Sequence, residues 1–504
     1  MTTTVGFLVN GVTVEVPASA GSLLDALRDH LGVHSAKDGC SPQGQCGCCT
    51  VWVDGQPRVA CVTPVARVVG RSVTTVEGLP EATSWAEALC ATGGSQCGFC
   101  TPGIIMRLAG GVDVTNRAAV GQSLLAHLCR CTGWQTIVEA GEQLGAPHRL
   151  RDLDAATRRV TIEGRSPQRV SPEVALGQGG FADDTAPSDA LVAVIDVDGQ
   201  WHVAETLRDA RASAGKVQGR RTTVPPSWPI ELPPGEWDRT LQTTWVEPAY
   251  LEPDATWCVP GGEPAALTGN GGAFGGKANN DIGAVARRLA DEHGRAVRVV
   301  YSREDVVRFG AKRPPMAVAV RSDGSGVVRV ASTPGVGAVI AAMAPMVTVE
   351  EVDVAGPPTS IDIRGAGWVE MAVVLSSLRD GPDEILSPDG ARASAWFDGD
   401  RVVVNVNCGE VLDEVTLRSY CIGAVHQALG WVRSEGLYVD ATGQVHDLTI
   451  RSFGILRAVD MPEVEVHIES SAAASVNGSD AVFAAVAAAA WRESGFAPRW
   501  PLQA

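Results

Sequence analysis

The sequence predicts an α+β protein of several domains, on three observations. Alternating apolar and polar residues near the N-terminus surround Asn-Gly and Asp-Gly turns. A helical period runs from Trp85 to Leu144, and beyond residue 180 strand-like runs mix with two well-formed helical segments. A chain of 504 residues is too long for a single core at about 150 residues per domain. Its 45% hydrophobic and 20% charged residues are those of a globular chain.

Residues 5–9 and 12–16 alternate about Asn10-Gly11, a dipeptide that accepts positive φ at both turn positions, and predict a tight hairpin. Ser22 then caps an amphipathic stretch with Leu23, Leu24, Leu27 and Leu31 on one face. A second hairpin is predicted from Val51 to Val62, turning at Asp54-Gly55, so residues 1–80 read as a small sheet with a helix against it. Over 81–150, Pro102 at a first helical position and the segments IIMRLAG, AAVGQSLLAHL and QTIVEAGEQL predict a small helical bundle. Residues 151–180 mix Arg, Asp, Gly and Pro without periodicity and read as a linker. From 181 to 504, ALVAVIDV, VVRVA, RVVVNV and PEVEVHIES read as strands, and DIGAVARRLADEHG and DAVFAAVAAAAWRE as helices; no short repeat is visible.

A net charge of -17 repels polyphosphate backbones and anionic headgroups, and no Lys/Arg run is interleaved with aromatics, so nucleic acid is not an expected partner. No apolar run reaches the ~18 residues of a membrane span, so no membrane insertion is expected. The opening MTTTVGFLVNGVTVEV lacks a basic region and a long apolar run, and a cytoplasmic protein is expected. Thirteen cysteines in a reducing compartment do not make a disulfide framework. Ten of them precede residue 132, and clustered thiols there point to metal.

The first set is Cys40, Cys46, Cys49 and Cys61, in GCSPQGQCGCCTVWVDGQPRVAC. The spacing C-x5-C-x2-C-x11-C is one residue longer in its first gap than the plant-type ferredoxin pattern. A loop bearing Gly39, Gly44 and Gly47 can fold tightly around three sulfurs. Cys48, between two ligands, is expected to point away, and is the alternative ligand if the register shifts by one. The second set is Cys97, Cys100, Cys129 and Cys131, from QCGFCTPG and LCRCTGW. A structural zinc site also takes four thiolates in C-x2-C pairs, but C-x-C is a less usual zinc pair. The ferredoxin-like first set favours a second electron-carrying cluster beside it. Cys90, Cys258, Cys408 and Cys421 lack such spacing and read as core residues.

Taken together, GCSPQGQCGCCT, QCGFCTPG and LCRCTGW resemble the iron-sulfur subunit or domain of the xanthine dehydrogenase and aldehyde oxidase family, almost continuously over residues 1–145. The resemblance implies a β-grasp ferredoxin domain (1–80) and a four-helix domain (81–150), each with one 2Fe-2S cluster. It also implies that Gln96 approaches the molybdopterin cofactor.

In the larger half, Gly271 to Lys277 satisfies G-x4-G-K, but Ala278 follows and no strongly hydrophobic strand leads in, so a nucleotide triphosphatase is rejected. VEPAYLEPDATWCVP, NGGAFGGK, VRVVYSREDVVRFGAKRPP, IDIRGAGWVEMA and CIGAVHQALGWVRSEGLYVDATGQ are similar, in order, to the molybdenum-binding subunit of the same family. The resemblance implies Phe274 and Gly275 beside the metal, Arg364 near substrate, and Glu247 or Glu252 in the pocket wall.

Where that family carries a late V-G-E with its catalytic glutamate, this chain reads Ser475-Val476-Asn477-Gly478-Ser479-Asp480, and Gly478 is no base. No glutamine-rich pterin segment is present between 375 and 405, Tyr420 replaces a family glutamine, and the region is about half the family's usual length. Residues 181–504 therefore read as a shortened, degenerate molybdopterin-subunit-like domain. The expectation is an electron-transfer subunit with two 2Fe-2S clusters, in a hetero-oligomer with a catalytic molybdenum subunit that carries the molybdopterin. No FAD-binding segment is recognisable, so a flavin, where used, belongs to a separate subunit. The alternatives are a compact hydroxylase using Asp480, Glu247 or Glu252 as base, and a zinc-stapled assembly protein.

Overall fold

Asn10 and Gly11 both take positive φ (51° and 82°) and close the hairpin of β1 (Thr4–Val9) and β2 (Val12–Pro17). Asp54 and Gly55 do the same (48° and 73°) between β3 (Thr50–Val53) and β4 (Gln56–Val59). With β5 (Ser72–Thr74) these form a sheet of order β2-β1-β5-β3-β4, in which β1 and β5 run parallel. Ser22 and Asp25 form a reciprocal capping box at the start of α1 (Leu23–Asp25), which continues as a wider turn to His30 and buries Leu23, Leu24 and Leu27. The structure, a computed structural model, describes residues 3–147, 151–216, 226–379, 384–446 and 448–502.

Four helices follow: α2 (Ala82–Thr92), α3 (Thr101–Leu108), α4 (Arg117–Ser123) and α5 (Gln135–Glu142). Pro102 lies in the first turn of α3, where its missing N–H costs nothing.

The stretch read as a linker holds α6 (Leu153–Gly164) and the short α7 (Pro172–Ala175), which corrects its reading as aperiodic. The buried face of α6 is Ala155, Ala156, Arg159, Val160 and Glu163, so two charges stand where an apolar stripe would be read. The expected boundary at 150 falls on 148–150, outside the described residues.

The rest of the chain runs β6 (Leu191–Ile195), β7 (Trp201–Ala204), α8 (Leu207–Ser213), β8 (Arg239–Gln242), β9 (Ala255–Cys258), α9 (Ile282–His293), β10 (Val297–Val300), α10 (Arg303–Phe309), β11 (Met316–Val320), β12 (Gly326–Ala331), α11 (Val336–Met343), β13 (Val347–Val352) and α12 (Trp368–Ser376). It ends with β14 (Ile385–Leu386), β15 (Arg392–Asp398), β16 (Arg401–Asn407), α13 (Glu414–Arg433), β17 (Glu463–Glu469) and α14 (Ser479–Glu493). Among the described residues three four-stranded sheets result, ordered β7-β6-β10-β9, β13-β12-β11-β8 and β14-β15-β16-β17. The α+β expectation holds.

The two helices legible in the sequence are α9 and α14, and α13 is an addition. Its 20 residues are buried on nearly every side, so it carries no amphipathic stripe. One core joins the first sheet and α2–α5 to Trp245, Leu437, Ile450 and Phe453 of the C-terminal half. Among the described residues, no helix is long and apolar enough to cross a membrane.

Candidate metal centres

The first thiol set lies where the 39–49 loop meets β3 and the turn after β4. Cys40, Cys46 and Cys49 are each 1% exposed and Cys61 is 8% exposed. Gly47 takes φ 73°, and a Cβ there would fall 2.4 Å from Cδ2 of His127, so the glycine lets the loop close on the helical domain. The backbone N–H groups of Gln43 and Gln45 donate to Sγ of Cys40 (3.2 and 3.4 Å), and that of Cys61 donates to Sγ of Cys49 (3.4 Å). Hydrogen bonds from Cys46 and Cys61 hold the Cys40 thiol well below its ordinary range. Cys48 is fully buried and does not point away. Its sulfur shares the Gly39 face with that of Cys46, each 3.1 Å from where a Cβ would stand.

The second set is built by the loop into α3 and the C-R-C turn before α5. Cys97, Cys100, Cys129 and Cys131 are all buried. Sγ of Cys131 lies 3.6 Å from Sγ of Cys97, while Cys100 hydrogen-bonds to Cys129. The Cys100 hydrogen bond, assisted by the Thr132 hydroxyl at 3.1 Å, lowers Cys129 to about 6. Gly272, from the loop considered above for phosphate, closes over this set. A Cβ on it would meet Sγ of Cys97 at 3.0 Å and Sγ of Cys131 at 3.4 Å.

Among the described residues, no three His, Cys, Asp or Glu side chains converge as a site for a single ion. In the second set the sulfurs meet in twos, Cys97 with Cys131 and Cys100 with Cys129, whereas in the first Cys40 meets both Cys46 and Cys61. Buried thiols paired in this way, with N–H and O–H donors on their sulfurs, suit a binuclear iron-sulfur group, which takes two thiolates on each iron.

Of the residues tied by resemblance to molybdopterin, Gln96, Phe274 and Arg364 gather around α13 and α14, and most of their polar groups have partners within the protein, whereas Nη2 of Arg364 is buried without a hydrogen-bond partner among the described residues. Nε of Arg364 donates to Asp480 (3.0 Å), its Nη1 donates to Gln427 (3.0 Å), and its guanidinium lies 4.9 Å from the centre of the Phe274 ring. Asp480 also pairs with Arg165 (2.5 Å). Phe274 abuts Tyr420, whose hydroxyl donates to Gln168 (2.8 Å). A Cβ on Gly275 would fall 1.8 Å from the carbonyl oxygen of Asp362, so this glycine packs on backbone. Gln96 donates to the Ser419 hydroxyl (2.9 Å), and its Oε1 is buried without a partner. Glu247 pairs with Lys312 (2.9 Å) and Glu252 with Lys277 (2.7 Å); burial raises Glu252 to about 7.

The cavity left among Phe274, Arg364, Gln427 and Glu247 is about 30 Å³. That is room for about one water, against the several hundred Å³ of a cofactor pocket. The residues present do not fit a pterin cofactor.

Buried ion pairs escaped the sequence reading, and two of them bear on the site. Arg130, between Cys129 and Cys131, pairs with Glu435 (2.5 Å), and Arg159 pairs with Glu163. The C-R-C spacing draws attention to Arg130, but nothing local marks Glu435 as its partner.

The family model described as [2Fe-2S] binding domain matches residues 75–142. The xanthine dehydrogenase iron-sulfur-binding subunit of Escherichia coli O157:H7 is 34% identical over 145 residues, which are 27% of this chain and 91% of that subunit. The xanthine dehydrogenase of Blastobotrys adeninivorans is 38% identical over 153 residues, which are 27% of this chain but 11% of that protein. Among solved structures, an aldehyde oxidoreductase from Desulfovibrio gigas matches 99% of each chain with a TM-score of 0.70 at 14% identity, a likeness of fold. The chain belongs to the xanthine dehydrogenase and aldehyde oxidase family of molybdenum hydroxylases.

Proposed function

We propose that this chain is an electron-transfer component of a molybdenum hydroxylase, holding one 2Fe-2S cluster on Cys40, Cys46, Cys49 and Cys61 and a second on Cys97, Cys100, Cys129 and Cys131. The observation that carries this reading is the burial of two separate thiol sets in one core with hydrogen-bond donors on their sulfurs. Such donors and the net charge around a cluster tune its reduction potential. The protein's own part is to shield the thiolates from water, orient them in pairs and hold the two sets on one rigid framework.

The molybdopterin, which supplies the oxidising centre where substrate is hydroxylated, belongs to a partner chain in this reading, because the space around Phe274 and Arg364 is taken by Asp480, Gln427 and Tyr420. The complex would be a cytoplasmic hetero-oligomer that oxidises an N-heterocycle or an aldehyde and passes electrons to a flavin subunit or another acceptor. The C-terminal half serves as scaffold.

Iron, molybdenum and pterin analysis of the purified chain, with its electron paramagnetic resonance spectrum after reduction, tests the proposal. About four irons and two signals without molybdenum are expected. Stoichiometric pterin in the lone chain overturns the partner assignment, and a colourless zinc-loaded protein overturns the whole reading. Cys49→Ser is expected to remove one signal and leave the other, whereas Cys48→Ser keeps both.

A further inference from the structure

Arg130 stands between two candidate ligands, and its side chain is almost wholly buried. Its Nη1 and Nη2 donate to the two carboxylate oxygens of Glu435 (2.5 and 2.8 Å), and its Nε donates to the carbonyl oxygen of Pro248 (2.9 Å). Gln427 of α13 donates to the Arg130 carbonyl oxygen (3.1 Å). Arg130 also lines a cavity of about 10 Å³ together with Cys97, Cys100 and Cys131. A full positive charge therefore lines the same cavity as the second thiol set, with its counter-charge behind it, where Glu435 lines the neighbouring cavity with Arg130.

The other charges nearby are paired elsewhere. Lys277 pairs with Glu252 on the same cavity; Arg364 pairs with Asp480, Glu247 with Lys312, and Arg313 with Glu370. Arg130 alone among these belongs to the ligand loop itself.

We infer that Arg130 and Glu435 form a charge pair that sets the reduction potential of the second cluster, Arg130 favouring its reduced state and Glu435 opposing it. The inference rests on the two-cluster reading above. Reduction adds one electron, hence one unit of negative charge, in a buried site where Coulomb interactions are strong. A guanidinium stabilises that charge and a carboxylate opposes it, and with both present the effects largely cancel. Arginine stays protonated, so neutralising Glu435 leaves an uncompensated cation. Removing Arg130 leaves a carboxylate that burial already pushes toward protonation, so its effect is read well above the ordinary carboxylate range.

The test is a potentiometric titration of the whole chain followed by electron paramagnetic resonance, for wild type, Glu435→Gln, Arg130→Met and the double Met variant. The second cluster's potential is expected to rise in Glu435→Gln and fall in Arg130→Met. Each shift is expected to reach about tenfold in the oxidised-to-reduced ratio, ~59 mV for a one-electron couple. The double variant returns toward wild type, and the first cluster stays in place throughout. Shifts of the same sign, equal shifts of both clusters, or no shift overturn the inference. If Arg130→Met loses its cluster, the direction of the Glu435→Gln shift decides alone. A wild-type protein without two signals overturns the two-cluster reading instead.

Discussion

The carboxylate of Glu163 accepts hydrogen bonds from the backbone N–H groups of Gly478 (3.1 Å) and Ser479 (2.9 Å) at the N-terminus of α14. A negative charge there offsets the positive end of a long helix and satisfies two of its free donors. The carboxylate comes from α6, so a segment that reads as a linker packs against the N-terminus of α14. Arg159 completes the arrangement by pairing with Glu163 and donating to the Val476 carbonyl oxygen (2.8 Å).

Breaking this pair should be costly. Glu163→Ala leaves the Arg159 guanidinium buried and without its counter-charge, a change worth about 3–5 kcal/mol. Chemical denaturation should show the midpoint falling accordingly, and Arg159→Met with Glu163→Met should recover much of the loss. A midpoint unchanged by Glu163→Ala would contradict the placement of α6.

Gly423 of α13 touches the C-R-C turn, where a Cβ would lie 1.9 Å from the Cys131 carbonyl oxygen. Within a helix, Gly→Ala ordinarily stabilises by up to ~1 kcal/mol. Here Gly423→Ala should destabilise the chain and weaken or abolish the second iron-sulfur signal while leaving the first. Retention of both signals at full intensity would show that α13 does not bear on that turn.

Two buried histidines should make the protein acid-sensitive. Burial lowers His127 to about 3 and His426 to about 4, from an ordinary 6.5. A base whose folded value is depressed contributes stability above 6.5 that is lost as pH falls toward those values. His127 packs against Gly47 and lies 3.1 Å from the Thr50 hydroxyl, so its protonation loosens the first thiol loop. Visible absorbance followed from pH 7 to pH 4 should bleach less steeply in His127→Gln than in wild type, and identical curves would refute the assignment.

Glu252 acts in the opposite direction. Burial raises it from 4.5 to about 7, so its contribution is fully present below 4.5 and is lost as pH rises through about 7. Glu252→Gln should flatten the dependence of unfolding free energy on pH between 4.5 and 7. The wild-type slope persisting in that variant would assign the titration to another group.

The sequence by itself determined the elements whose signals are local. Asn10-Gly11 and Asp54-Gly55 specify their hairpins through positive φ, the Ser22 cap starts α1, and the spacing of eight cysteines marks two thiol sets within one stretch of chain. Family membership follows from the same stretch, which is where the sequence matches lie. Tertiary structure alone decided what lies against those sets.

Glu435 is 305 residues from Arg130 in sequence, and Glu163 is 316 residues from Ser479, so no periodicity or spacing links either pair. The helices that hold them read poorly for a physical reason. The first, α13, is buried on nearly every side and so shows no clear polar face, whereas α6 turns Arg159 and Glu163 inward beside Ala155, Ala156 and Val160 and so interrupts its apolar one. Phe274 and Arg364 were singled out by resemblance and Asp480 as an alternative base, each on its own, and only packing brought the three together. Local chemistry is written in neighbouring residues, whereas the occupancy of a cavity depends on side chains that long-range folding brings together.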